Sequence, residues 1–205
     1  MKAIFTSIAA VAILTTGCAG QSATQQAAPT VEPISTVTPS VMASPTATPS
    51  ATATAKKSPR GNVVKTVGEP GWQNLASGEK VMSFVVKSIS VDSACTSPYA
   101  QAPQNGHFIA VAVDVETTPD LAKDINKFVW FGAQSWKLIA DNGTTYNGSL
   151  DSGPAYGCLN DSERLPSNIG PAEKVTGTLV LDVPVTSGTL VLENTGGGGG
   201  WEWVF

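Results

Sequence analysis

Residues able to do chemistry are few in this chain, and they are scattered. There is one histidine in 205 residues, His107, beside Gly106 at the head of an apolar stretch. A serine hydrolase would need that imidazole as general base for a hydroxyl, with a carboxylate to orient it. No G-x-S-x-G elbow occurs, so His107 reads as a surface residue at a strand end. Asp114 and Glu116 are two apart and share one face of a strand, where an acid and a base could cooperate. With no aromatic cleft around them, they read as outer-face carboxylates in water. Asp120, Asp124 and Asn126 have the composition of a calcium loop but lack its glycine and closing glutamate. The expectation is no catalytic residue, no metal and no cofactor, hence no enzyme. Aromatic side chains are stronger candidates. The stretch FVWFGAQSW, residues 128–136, sets Phe128, Trp130 and Trp136 near one another. Tryptophans of a small β-sandwich normally fill its core. On an exposed loop, however, Trp130 or Phe131 would anchor a protein partner or a cell-wall glycan, and these two are the candidate partner-binding residues.

The N-terminal segments decide where such a surface would work. In MKAIFTSIAAVAILTTGCAG, Lys2 gives a positive start and Ala3 to Leu14 an apolar core of roughly twelve residues, as in a secretory signal. A permanent span needs about 20 apolar residues. Thr16 and Gly17 are small residues directly before Cys18, and the stretch resembles a bacterial lipoprotein signal. That resemblance implies a diacylglyceryl group on Cys18, with palmitate-type chains holding the protein on the extracytoplasmic face of the membrane. Cleavage after Ala19, releasing a secreted protein, is the alternative. Residues 1–18 are thus signal and lipidation cysteine. Residues 19–61 are rich in Thr, Ser, Ala and Pro and read as a disordered tether of roughly forty residues, spanning about 35 Å as a flexible coil. Net charge is −4, which disfavours a polyanionic partner such as nucleic acid.

Residues 62–205 read as one all-β domain. HFIAVAVDVET (107–117) alternates, with Ile109, Val111, Val113 and Val115 on one face, the period of a half-buried strand. KVTGTLVLDVP (174–184) repeats the pattern and stops at Pro184, which has no N–H for a ladder. VMSFVVKSISV (81–91), GTLVLEN (188–194) and the terminal WEWVF are further strands. QSWKLIADNGTTYNG predicts a strand, an Asp-Asn-Gly turn at 141–143 and a short return strand. TPDLAKDINKF (118–128) predicts a loop with a helical turn or two. Short strands separated by turn residues predict an antiparallel sandwich. With Cys18 assigned to lipid, Cys95 and Cys158 remain, an even number in an oxidising compartment. A disulfide is the favoured reading; two free thiols or a metal site are the alternatives, and no further histidine or cysteine completes a ligand set.

The succession GHFIAVAVDVETT, WKLIADNGTTY, IGPAEKVTGTLVLDVP and GTLVLEN resembles a family of small extracellular domains carried by Gram-positive, especially actinobacterial, lipoproteins. Its fold is a telokin-like, immunoglobulin-like sandwich, also seen in a secreted mycobacterial antigen. The resemblance covers roughly residues 80–194 and its motifs are structural. It implies an immunoglobulin-like fold and brings no catalytic residues. Together these readings predict a lipid-anchored recognition module of the cell envelope, with a structural or antigen-like protein without a defined ligand as the alternative.

Overall fold

A computed structural model describes residues 55–194 and 199–205. The signal stretch, Cys18 and the tether up to residue 54 lie outside the described residues.

Valine-rich alternation produces the first sheet. Strands β2 (Pro70–Asn74), β3 (Lys80–Val91), β4 (His107–Thr117) and β8 (Lys174–Val183) lie in the order β2-β3-β4-β8, antiparallel throughout. Ile109, Val111, Val113 and Val115 of β4 are all buried. They meet Phe84 and Val86 of β3 and Leu181 and Val183 of β8 in one core. The second sheet has the order β1-β10-β9-β6, from β1 (Val63–Val64), β10 (Trp201–Val204), β9 (Thr189–Leu192) and β6 (Trp136–Ile139). Only the β1–β10 pair in it is parallel. The sheets face one another through aromatic rings. Phe84 lies 4.9 Å from Trp201, edge to face, and 6.3 Å from Trp203, the offset geometry favoured by ring quadrupoles. The protein is therefore an all-β antiparallel sandwich. A third, two-stranded ladder joins β5 (Val129–Trp130) to β7 (Asn168–Ile169).

Differences from the expected elements have local causes. The return strand after Gly143 is a single bridge, Ile139 to Thr145. The turn is closed by Ala140 and Thr144, with Gly143 at φ +83°, a conformation glycine adopts without strain. Segment 118–128 forms one 3₁₀ turn, Pro119–Lys123. A single helical turn, α1 (Gly153–Tyr156), was not foreseen; neither were β1, β2, β5 and β7. Three of those strands have two residues each, too few to show a period. Residues 57–61, expected at the end of the tether, pack onto the domain. Lys57 bridges to Val63, and Arg60 reaches the nearly buried Glu202 at 3.1 Å.

The outer face of the first sheet is not wholly solvated. Phe108 and Val180 point outward and form a second small core with Ala155 and Cys158. Cys158 is bonded to Cys95, so the disulfide staples the turn-rich segments 92–106 and 152–167 over this sheet.

Candidate functional site

Strand β5 sets the site through simple alternation. Val129 packs against the core and Trp130 faces outward, 46% exposed. The chain then turns Phe131 back inward. Phe131 is 2% exposed, 5.5 Å from Phe84 and 6.2 Å from Trp136. Phe131, expected as a partner-binding residue if exposed on a loop, is instead buried: its ring fills the space between the sheets and only touches the lining of the groove beside Trp130. Trp130 is the aromatic residue of the pair that meets solvent.

Trp130 forms one wall of a groove of about 490 Å³. Gly132 lets its indole settle there, because a Cβ at that position would come within 2.6 Å of the indole nitrogen. Trp130 Nε1 donates to Gln134 Oε1 at 2.9 Å, and Gln134 Nε2 donates to Asp151 Oδ2 at 2.5 Å. The ring edge is thereby tied into a row of planar polar groups while its face stays open.

The opposite wall is α1. Ser152 caps it in the usual manner, its Oγ accepting from Ala155 N at 3.1 Å, and Pro154 sits in the first turn. The same hydroxyl donates to Asp182 Oδ2 at 2.5 Å. Asp182, fully buried on β8, also accepts from the backbone N–H groups of Gln104 and Asn105 at 2.8 and 2.9 Å. A buried carboxylate is tolerable when its lone pairs are filled this way. Helix α1 ends at Tyr156, 67% exposed. The Arg164 guanidinium lies 4.2 Å from the Tyr156 ring centroid, within cation–π range. It donates to Tyr156 O at 3.0 Å and pairs with Asp161.

Residues 163–167 complete the groove by lying along β8. Gly177 permits this approach, since a Cβ there would meet Leu165 Cα at 2.6 Å. Leu165 N donates to Thr178 O at 3.0 Å and Thr178 N to Glu163 O at 2.9 Å. Glu163 in turn accepts from Thr96, beside the disulfide, and from Asn160. Those hydrogen bonds, Thr96 foremost, hold its carboxyl below the usual range. The floor is apolar, made by Leu159, Leu165 and Leu179.

The other residues singled out by type lie apart from one another. His107 Nδ1 pairs with Asp92 at 2.6 Å on an exposed strand end. Asp114 accepts from Thr176 Oγ1 at 2.8 Å and lies 3.3 Å from Lys87. Its carboxyl is held low, first by Thr176 and then by Lys87. Glu116 pairs instead with Lys174 at 3.6 Å, so the two carboxylates are separately compensated. Asp120 pairs with Lys123 at 2.9 Å, and Asp124 accepts from Asn126 N at 2.9 Å. Among the described residues no group of three or more His, Cys, Asp or Glu side chains could hold a metal ion. A second hollow, about 360 Å³, lies on the outside of the second sheet between Arg60, Lys137 and Glu193. Its charges are already matched, Lys137 to Glu193 at 2.5 Å and Arg60 to Glu202.

Sequence reasoning missed Tyr156, Gln134, Asp151 and Arg164. The signal for Tyr156 was available, since Ser152, Pro154 and the nearby Cys158 mark a capped, stapled turn. No local pattern relates Gln134 to Asp151.

No family model matches the chain, and no curated protein matches it. Among solved structures it is similar to MPT63, a secreted protein from Mycobacterium tuberculosis. Identity is 14%, the match covers 70% of this chain and 98% of that one, and the TM-score is 0.48. It is also similar to an uncharacterized β-sandwich protein from Clostridium difficile 630, at 12% identity over 74% of this chain and 99% of that one, with a TM-score of 0.37. At such identities these are similarities of chain path, not of side chains.

Proposed function

We propose that this protein is a lipid-anchored, non-enzymatic recognition module of the cell envelope, and that the Trp130–Tyr156 groove is its contact surface. The observation that carries this reading is the groove itself. Two aromatic side chains are left largely in water beside an apolar floor, and their positions are secured by Gly132, the Asp182-bound cap of α1 and the disulfide. Exposed aromatics on a rigid concave wall are what a binding surface requires, because their desolvation is the main gain and little freedom is lost. Cys18 as lipidation site and the Thr/Ser/Ala/Pro-rich residues 19–55 as tether would hold this surface off the bilayer. The groove is lined by residues from 130–134, 151–167 and 178–180, none of them in β1.

Two measurements test this reading. Mass spectrometry of the mature protein should find a diacylated Cys18; an unmodified start at Gly20 refutes the anchor. Full-length protein should retain a component of envelope extracts that the combined Trp130→Ala and Tyr156→Ala variant releases. Equal retention by both proteins refutes the groove.

A further inference from the structure

Resting on that reading, the chemistry of the groove narrows the class of ligand. Backbone pairing is largely spent there. Both the N–H and the carbonyl of Thr178 are bonded to residues 163–165, and β5 is paired to β7. The edge that β8 leaves beside the groove is short, with Val180 standing between the bonded Thr178 and Asp182, too little for the run of main-chain hydrogen bonds from which an extended peptide gains affinity on a sheet. Charge does not favour a polyanion either. Arg164 is paired with Asp161, and the remaining charged group, Asp151, is itself an anion.

What remains is an array of a different kind. Trp130 and Tyr156 both line the groove and meet solvent, Tyr156 with one ring face against Arg164, and the planar side chains of Gln134, Asp151 and Arg164 line it too, with hydrogen-bonding positions to spare. A pyranose has the complementary shape. Its axial C–H groups form an apolar face that stacks on an indole or phenol, while equatorial hydroxyls leave sideways toward carboxylate, amide and guanidinium. Leu159, Leu165 and Leu179 also line the groove, and such apolar surface suits the methyl group of an acetamido substituent. A volume of about 490 Å³ lies within the range of small-ligand sites, about 300–1,000 Å³. We infer that the groove binds an uncharged oligosaccharide of N-acetylated hexosamines, stacked on Trp130 and Tyr156.

The test uses the full-length protein carrying Trp72→Phe, because Trp72 is exposed like Trp130 and would obscure its fluorescence. The probes are tetra-N-acetylchitotetraose and cellotetraose, which differ in the acetamido groups. The first should shift tryptophan emission saturably, with a Kd on the order of 0.1–1 mM, and cellotetraose should bind several-fold more weakly. Followed by titration calorimetry, since the Trp130 variants lack the fluorescent reporter, Trp130→Ala and Tyr156→Ala should each weaken binding by about tenfold or more, with the circular dichroism spectrum retained, whereas Trp130→Phe keeps most of the affinity. Absence of chitotetraose binding up to about 10 mM, equal affinity for cellotetraose, or unchanged binding by the Trp130→Ala protein overturns the inference. If the glycan fails while retention of an envelope component still depends on Trp130 and Tyr156, recognition stands and only the ligand class falls.

Discussion

Neighbouring residues in this chain have opposite fates, and the contrast can be measured. Phe131 is buried between Phe84 and Trp136, whereas Trp130 lies in water. Phe131→Ala should cost about 3–5 kcal/mol of stability, the usual value for emptying an aromatic site in a core. Trp130→Ala should stay within about 1 kcal/mol. Denaturant unfolding of both variants checks this, and similar losses would contradict the placement of the two rings. Asp182 is the second informative residue. It gathers the Ser152 hydroxyl and two backbone N–H groups in a buried setting. Asp182→Ala would strand those donors and should destabilise the protein by about 3 kcal/mol or more, with hydrogen exchange accelerating first in α1. Its type and position in the sequence suggested only the end of a strand. Burial of a carboxylate on the outward face became visible when segments 104–105 and 152 were seen to converge on it.

At the scale of elements, the covering segments 92–106 and 152–167 depend on links that strands do not provide. The Cys95–Cys158 bond closes a loop with a sequence separation of 63, worth about 4 kcal/mol by the chain-entropy estimate. Replacing both cysteines by serine should lower the unfolding midpoint accordingly and loosen Tyr156 before the paired strands. A proteolysis pattern that remains unchanged in 152–167 would speak against that order. Glu163 reinforces the same region through Thr96 and Asn160. Because its folded pKa is depressed, chiefly by the Thr96 hydrogen bond, its contribution is present above the unfolded value and is lost as pH falls through the folded one. Stability should therefore decline on acidification below the ordinary glutamate range. Glu163→Gln should flatten that part of the profile in pH-dependent unfolding curves, and an unaltered profile would contradict the assignment. Strands β4 and β8 were legible beforehand because one face of each is apolar at period two, and β3 because it is rich in β-branched residues. Strands of two residues were not, since pairing with β7 or β10 and not their own pattern makes them strands.

For the molecule as a whole, the terminal segments are tied together. Arg60 and Asn62, at the start of the domain, both donate to Glu202 of the last strand, at 3.0–3.2 Å. A chain beginning at residue 62 would keep Glu202 nearly buried without its cation. It should be less stable than one beginning at residue 55 by about 1–2 kcal/mol, less than a fully buried pair because Arg60 is partly in water. Equal thermal midpoints for the two chains would refute this. Composition alone put the boundary at 62, since an arginine among Ser, Pro and Lys looks like tether until its partner, 142 residues away, is known. Read alone, the sequence determined the all-β class and the inward face of the long strands and favoured the Cys95–Cys158 pairing, because periodicity and residue counts are local or global properties of a string. Only the tertiary structure decided that Phe131 is core and Trp130 surface, that Asp182 secures α1, and that Trp130, Gln134, Asp151, Tyr156 and Arg164 share one groove. The physical reason is that a binding surface is assembled from side chains whose separation in space is set by packing and by close approaches at Gly132 and Gly177, and no spacing along the chain encodes those distances.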